Sequence, residues 1–298
     1  MITVTGLTKR YGHLAVVDDI TFDVGAGRVT GFVGPNGAGK STTMRMMVGL
    51  TRPDRGDVRY HGVSYTQLRH PARVVGAVLD ARCMHPGRTA RNHLLAAAAL
   101  SAIPARRVDE VLHEVGLDSA ADQRTGGFSL GMRQRLALAG ALLGEPEFLL
   151  LDEPSNGLDP DGIRWLRNSL GDFAARGGTV FVSSHLIAEL AMFADDLVVV
   201  GGGKLLTAEP LHATLARGDS TVVVRTPHPD ELARILDDHG VTVALATGHL
   251  HVHGASTATV SQIAFDHRIQ LTEITETSRS LEEILIDLTG ASAEFAAA

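Results

Sequence analysis

Eight consecutive residues constrain this chain more than any others: Gly34-Pro35-Asn36-Gly37-Ala38-Gly39-Lys40-Ser41. They match the pattern G-x-x-x-x-G-K-[ST]. A strand-like run, Arg28 to Val33, precedes them, and Thr42 to Leu50 behind them carries Met44, Met46, Met47 and Leu50 at helical spacing. Strand, glycine loop and helix in that order form a phosphate cradle. The glycines let the backbone curl so that successive N–H groups converge on phosphate oxygens, and the helix adds its positive end. In such a loop Lys40 reaches the β and γ phosphates, Ser41 ligates Mg²⁺, and Thr42 continues the first helical turn at the cradle. The plainer alternative is a Gly-rich strand-to-helix turn.

A second element fits the first. Phe148-Leu149-Leu150-Leu151-Asp152-Glu153 reads as a short buried strand that delivers two carboxylates to the end of a sheet. There Asp152 holds Mg²⁺, directly or through water, and Glu153 polarises or deprotonates the attacking water. On its own the segment is equally a strand that ends in acidic turn residues before Pro154. Around it strands and helices alternate: a helix over Asp161–Arg176, then a strand over Thr179–Ser183. This order predicts an α/β core with a parallel sheet. Short N-terminal strands are expected around Ile2, Val4, Ile20, Phe22 and Val24. Helices are expected over Arg88–Ile103, Arg107–Val115 and Met132–Leu143, as a helical insert of about residues 86–145. Beyond a boundary near residues 216–219 the expected order is strand Thr221–Arg225, helix Pro229–His239, strands Val241–Thr247 and Leu250–His253, helix Ala258–His267, strand Ile269–Glu273 and helix Leu281–Leu288. That is a small ferredoxin-like α+β unit.

Between the phosphate loop and the acidic strand lies Phe128-Ser129-Leu130-Gly131-Met132, followed by Arg133-Gln134-Arg135. With it the sequence resembles the ATP-binding-cassette (ABC) ATPases, whose signature is typically L-S-G-G-Q at a helix start. The serine and second glycine remain, while Leu130 and Met132 depart. Gly126-Gly127 offers a rival register, but Ser129 precedes Asp152 by 23 residues, the spacing of the family pattern. The resemblance covers about residues 1–215. It implies a P-loop ATPase fold with an antiparallel β portion, a nucleotide-binding domain over 1–217 and an accessory α+β domain over 218–298.

The resemblance also assigns roles. Tyr11 stacks on adenine. The loop Asn156-Gly157-Leu158-Asp159 joins the active sites of two subunits. Ser129 and Gly131 grip the γ-phosphate of nucleotide held by the other subunit, and His185 contacts the γ-phosphate. Asp80, in Val75-Gly76-Ala77-Val78-Leu79-Asp80, takes the place of the family's loop glutamine and reaches Mg²⁺ or water with a shorter, charged side chain. Catalysis then rests on Glu153, His185 and Lys40; the metal on Ser41, Asp152 and Asp80; and the nucleotide on Tyr11, Gly34–Thr42, Ser129, Gly131 and Asp159. The cofactors implied are ATP and Mg²⁺. The implied partners are a separate transmembrane permease and a second ATPase subunit, in a homodimer. The variant signature, the stretch His85-Pro86-Gly87-Arg88-Thr89-Ala90-Arg91-Asn92-His93-Leu94 and the ending Ser280-Leu281-Glu282-Glu283-Ile284 look like subunits of daunorubicin-type drug and antibiotic exporters, which implies export of a drug-like or lipophilic compound.

Composition narrows the partners. Lys+Arg 27 against Asp+Glu 34 leaves a net charge of −7, so no basic surface argues for nucleic acid. The longest apolar stretch, Leu94 to Leu100, is too short to span a bilayer. The start Met1-Ile2-Thr3-Val4-Thr5-Gly6 lacks the apolar run of a signal peptide. A cytoplasmic location is expected, peripheral on the membrane's cytoplasmic face, with membrane contact only through a partner. A single set of motifs and no sustained heptads weigh against the other soluble members of the family, those of translation and DNA maintenance, and intact Glu153 and His185 weigh against a purely regulatory ATPase. Cys83 is the only cysteine, so no internal disulfide and no multi-cysteine metal site forms. His249, His251 and His253 share one strand face, expected to be exposed rather than metal-binding. Trp165 is expected to pack.

Overall fold

Alternation at the N-terminus builds a hairpin longer than the short strands expected. β1 (Ile2–Tyr11) pairs antiparallel with β2 (Leu14–Val24). Ile2, Val4, Leu7, Ile20, Phe22 and Val24 are buried on one face, as the two-residue period of a strand requires. Several register shifts let the ribbon continue through Lys9, Arg10 and Asp18, where the apolar pattern lapses. β4 (Arg55–Tyr60) pairs with β1, and β5 (Val63–Ser64) follows at the edge, in the order β2-β1-β4-β5.

The second sheet carries the core. It contains β3 (Val29–Val33), β6 (Val75–Val78), β7 (Phe148–Leu151), β8 (Thr179–Ser184), β9 (Asp196–Gly201) and β10 (Lys204–Pro210). Their order is β10-β9-β3-β8-β7-β6, with only β10 antiparallel to its neighbour. β3, β7 and β8 are buried at every residue, which explains their unbroken apolar character. Phe22 of β2, Phe32 of β3 and Phe181 of β8 join the two sheets, with ring centroids 6.0, 5.6 and 4.9 Å apart. α1 (Lys40–Met47) leaves β3 through the glycine loop.

Helices α2 (Ala90–Leu100), α3 (Arg106–Glu114) and α4 (Leu130–Leu142) form the helical insert, and α5 (Pro160–Ala175) links β7 to β8. Arg91 ties the insert together through ion pairs with Asp109 and Asp122. Gly76 of β6 lets α4 approach, since a side chain there would strike the Ala141 carbonyl. Trp165 packs as expected, but against a cation: the Arg135 guanidinium lies 4.0 Å from its ring centroid.

The structure described here is a computed structural model covering residues 1–81, 83–184, 190–216, 221–246, 249–277, 281 and 284. It comprises two units, Met1–Leu211 and His212–Leu288. α6 (Leu211–Ala216) lies at their junction in the chain. In the smaller unit β11 (Thr221–Arg225), α7 (Pro229–Asp238), β12 (Thr242–Ala246), β13 (His249–His253), α8 (Thr257–Asp266) and β14 (Glu273–Thr277) follow in sequence. The sheet order β12-β13-β11-β14, all antiparallel, is the ferredoxin-like arrangement. Val222, Val224, Leu250 and Val252 face Leu232, Leu236, Val260 and Ala264 of the helices. The three histidines of β13 take the opposite face, half-buried, with His249 Nε2 3.0 Å from His251 Nε2.

One expected strand is displaced. Ile269 does not open a strand; it closes α8, donating its N–H to Ala264 O at 2.8 Å after Arg268 turns left-handed at φ 57°. This capping turn buries Ile269 against the helix, so the last strand begins at Glu273. The expected helix Leu281–Leu288 lies largely outside the described residues.

Because Phe181 is fully buried between two other rings, Phe181→Ala should destabilise the larger unit by about 3–5 kcal/mol. Urea denaturation of the full chain, parent against variant, measures this.

Candidate active site

Three parallel strand ends converge. Register pairs Val33 of β3 with Ser184 of β8, and Leu151 of β7 with Val182 of β8. Their carboxyl ends therefore lie side by side, where an open α/β sheet places its ligand. β3 delivers Gly34–Ser41, β7 delivers Asp152 and Glu153, and β8 delivers Ser183 and Ser184. His185, next in the chain, lies outside the described residues.

The loop has no room for side chains at its two ends. A Cβ on Gly34 would strike the Val200 carbonyl of β9, and one on Gly39 would stand 2.5 Å from the Val16 carbonyl of β2. Gly39 also has φ +98°, which favours glycine on its own account. As the residue before α1 it offers no side-chain cap. The positive end of the helix is therefore open to an anion.

Lys40 is buried, with only 7% of its side chain exposed. Its Nζ donates to Gly34 O at 2.6 Å and Pro35 O at 3.2 Å, and stands 4.0 Å from Glu153 Oε1. Burial pushes its pKa below the ordinary 10.5, and the Glu153 and Asp152 carboxylates pull part of the way back. An ammonium desolvated and held mainly by neutral carbonyls is poised for a strongly anionic ligand.

One hydroxyl joins the Asp152 carboxylate to the Glu153 backbone. Ser183 Oγ donates to Asp152 Oδ1 at 2.6 Å and accepts from the Glu153 N–H at 2.9 Å. Glu153 sits at φ +51°, a left-handed conformation that costs a non-glycine residue about 1–2 kcal/mol. A cavity of about 440 Å³ opens on this cluster, lined by Ser41, Asp80, Asp152, Glu153, Asn156 and Leu130, among others. Asp80 reaches it as the second residue beyond β6.

Oxygen donors alone (Ser41, Asp152 and Asp80) suit a hard cation. Among the described residues no three His, Cys, Asp or Glu side chains stand close enough to cage a metal.

The remaining predicted residues spread around this centre. Ser129 is the N-cap of α4, its Oγ accepting from Met132 N–H at 3.2 Å. A hydroxyl engaged in that way still has a hydrogen to donate. Leu130, in place of the signature's first glycine, lies over Gly157 and occupies the space a side chain there would need. Asp159 caps α5, accepting from Gly162 N–H at 2.8 Å. Tyr11 is exposed at the end of β1, with Lys9 Nζ 5.5 Å from its ring centroid, and is not among the cavity residues.

Comparison with known proteins agrees with this geometry. The family model described as "ABC transporter" matches residues 17–156, and a model of a domain of unknown function matches 220–282. An uncharacterized ABC transporter ATP-binding protein of Bacillus subtilis (strain 168) is 32% identical over 297 residues, covering 99% of this chain and 97% of that protein. The chain belongs to the ABC transporter family. The bacitracin transport ATP-binding protein of Bacillus licheniformis is 34% identical over 304 residues, covering 97% of each chain. A solved dimeric bacterial ABC transporter cassette superposes with a TM-score of 0.65 at 23% identity, covering 71% of this chain and 99% of that one, and shares the fold. The larger unit thus has the ABC ATPase fold, and the chain is an ATP-binding and ATP-hydrolysing subunit of an ABC transporter. Among the described residues no helix is long and apolar enough to cross a membrane.

Lys40, Ser41, Asp80, Asp152 and Glu153, all named from the sequence, meet at one place in this ABC subunit. Ser183 was not named. Its sequence signal is a polar residue inside an apolar strand, which when fully buried must find a partner.

The lowered pKa of Lys40 has a measurable consequence. Only the ammonium form attracts phosphate, so ATP affinity should hold below that pKa and fall as pH rises through it. The fall should start at a lower pH than an exposed lysine with a pKa of 10.5 would give. Loss of one charge-assisted contact, about 1.5–3 kcal/mol, sets the drop at roughly tenfold to a hundredfold. Nucleotide titrations from neutral to alkaline pH follow it, and Lys40→Ala should bind weakly throughout.

Proposed function

We propose that ATP binds with its β and γ phosphates in the loop Gly34-Pro35-Asn36-Gly37-Ala38-Gly39, against Lys40, Ser41 and Thr42. The observation that carries this reading is the shared location of Lys40, Asp152 and Glu153, with Nζ 4.0 Å from the Glu153 carboxylate beside a cavity that Ser41 also lines. Ser41 and Asp152 hold Mg²⁺, with Asp80 reaching it or its water. When bound, the metal neutralises charge on the phosphate oxygens. Lys40 adds a second positive charge from inside the protein, where solvent screens it little. Glu153 orients the attacking water and takes its proton at the side-chain carboxylate. His185 contacts the γ-phosphate.

Tyr11 stacks on adenine. Ser129 and Gly131 complete the site of a second copy of the chain, and Asp159 belongs to the loop between the two sites; the dimeric cassette of the same fold supports this pairing. Residues 1–217 form the nucleotide-binding domain and 218–298 an accessory domain for dimer support or regulation. The subunit works with a separate membrane permease, on the cytoplasmic face of the membrane. Likeness over nearly the whole chain to a bacitracin transport protein supports export of a drug-like or lipophilic compound.

Glu153→Gln should keep ATP binding within a few-fold and lower turnover by roughly 10²–10⁴, the usual weight of a general base. Because bound ATP contacts both copies, the variant should also shift to a dimer with Mg-ATP on gel filtration. Lys40→Ala should instead weaken binding itself. Parental turnover by Glu153→Gln, or parental affinity in Lys40→Ala, would overturn the assignment concerned.

A further inference from the structure

We propose that Ser183 is a positioning residue for the hydrolytic step, holding Asp152 and Glu153 in their working orientation through one hydroxyl. The inference rests on the reading of those two carboxylates given above. β7 and β8 pair in parallel with Leu151 opposite Val182, so the next residues, Asp152 and Ser183, fall beside each other where the strands end. A serine hydroxyl has one hydrogen and two lone pairs. Here the hydrogen goes to Asp152 Oδ1 at 2.6 Å, and a lone pair takes the Glu153 N–H at 2.9 Å. The first bond is short, as bonds to a carboxylate are, and uses one of the two Asp152 oxygens. The second fixes the peptide of a residue held in the left-handed region at φ +51°. On the far side of that residue Asn156 N–H donates to Glu153 O at 3.2 Å, so Glu153 is clasped at both ends of its backbone.

No common side chain but a hydroxyl gives and accepts in so small a space. Ser183 is fully buried, so water cannot stand in for a deleted hydroxyl without opening the strand end. Alanine would leave the Glu153 N–H without its partner and free the Asp152 carboxylate to turn. Both carboxylates would remain in the chain, but Asp152 would lose its hydroxyl partner and the Glu153 peptide one of its two backbone ties. The nucleotide's main contacts, the loop amides and Lys40, would be untouched.

The test is steady-state ATPase kinetics on the full chain, with ATP and Mg²⁺ varied separately. Ser183→Ala should lower kcat at least tenfold, leave the KM for ATP within threefold, and raise the Mg²⁺ concentration for half-maximal rate several-fold. Ser183→Thr, which keeps the hydroxyl, should recover most of the turnover. Parental kcat in Ser183→Ala overturns the inference. So does a loss of ATP binding in step with kcat, which would mark a merely structural role, or a Ser183→Thr rate no better than that of alanine. Asp152→Ala and Glu153→Gln are assayed alongside. If both turn over like the parent, the reading of the carboxylates fails; if both lose activity while Ser183→Ala keeps it, only the role of Ser183 fails.

Discussion

A backbone loop pressed between two sheets is the constraint on which the larger unit depends. Gly34 passes the Val200 carbonyl of β9, and Gly39 passes the Val16 carbonyl of β2, with no space for a Cβ at either contact. The antiparallel sheet must therefore lie close to the parallel one at the start of α1. The stacked Phe22, Phe32 and Phe181 hold the two sheets together away from the loop. Lys40 leaves this pinched loop directly into the interior. Its desolvation is the electrostatic cost of the arrangement, and its two carbonyl acceptors and nearby carboxylates offset only part of it. A site that holds a buried cation short of full compensation favours a polyanionic ligand over a neutral one.

Parallel pairing does the rest of the positioning. Strands that run the same way end on the same edge, so the loop after β3, the acids after β7 and the serines of β8 meet there. Buried polar groups at such an edge need partners, and Ser183 supplies them for two at once. The helical insert touches the same cavity through Leu130, which covers Gly157 on the loop that follows Glu153. The departure from the usual signature is thus a packing change: a branched side chain fills space that glycine would leave open beside the acidic strand.

Much of the fold is legible in the residues because burial is strongest where the pattern is plainest. Phe148–Leu151 and Thr221–Arg225 are strands at the very residues their apolar runs mark. The helices from α2 to α5 and α7 to α8 stand within a few residues of their periodic spans. Part of what the pattern missed lies at sheet edges, although β9, buried at Leu197–Val200 inside the parallel sheet, went unnamed as well. β4 and β10 carry alternating or mostly exposed residues, because each lies at or near a sheet edge and buries little. The end of α8 was misread because Ile269, apolar and β-branched, looks like the start of a strand, whereas it serves as the apolar partner of a helix cap. In the site, Lys40, Ser41, Asp80, Asp152 and Glu153 could be named because each stands at a fixed offset from a motif. Ser183 has no motif, and its importance arises only from what lies across the strand.

The sequence by itself determined the chemistry that the larger unit can carry: a glycine loop for phosphates, a lysine and a serine behind it, and two acids closing an apolar strand. These are local properties, set by where glycine permits a turn and where burial ends a strand. The family, too, was legible, because its motifs keep their order and spacing along the chain. Only the tertiary structure decided which groups share atoms. That Asp152 and Glu153 hang on one buried hydroxyl, that Lys40 is desolvated, and that Leu130 covers Gly157 depend on strand register and close packing. Register and packing join residues that are far apart in the chain, and no local pattern of residues encodes such a pairing.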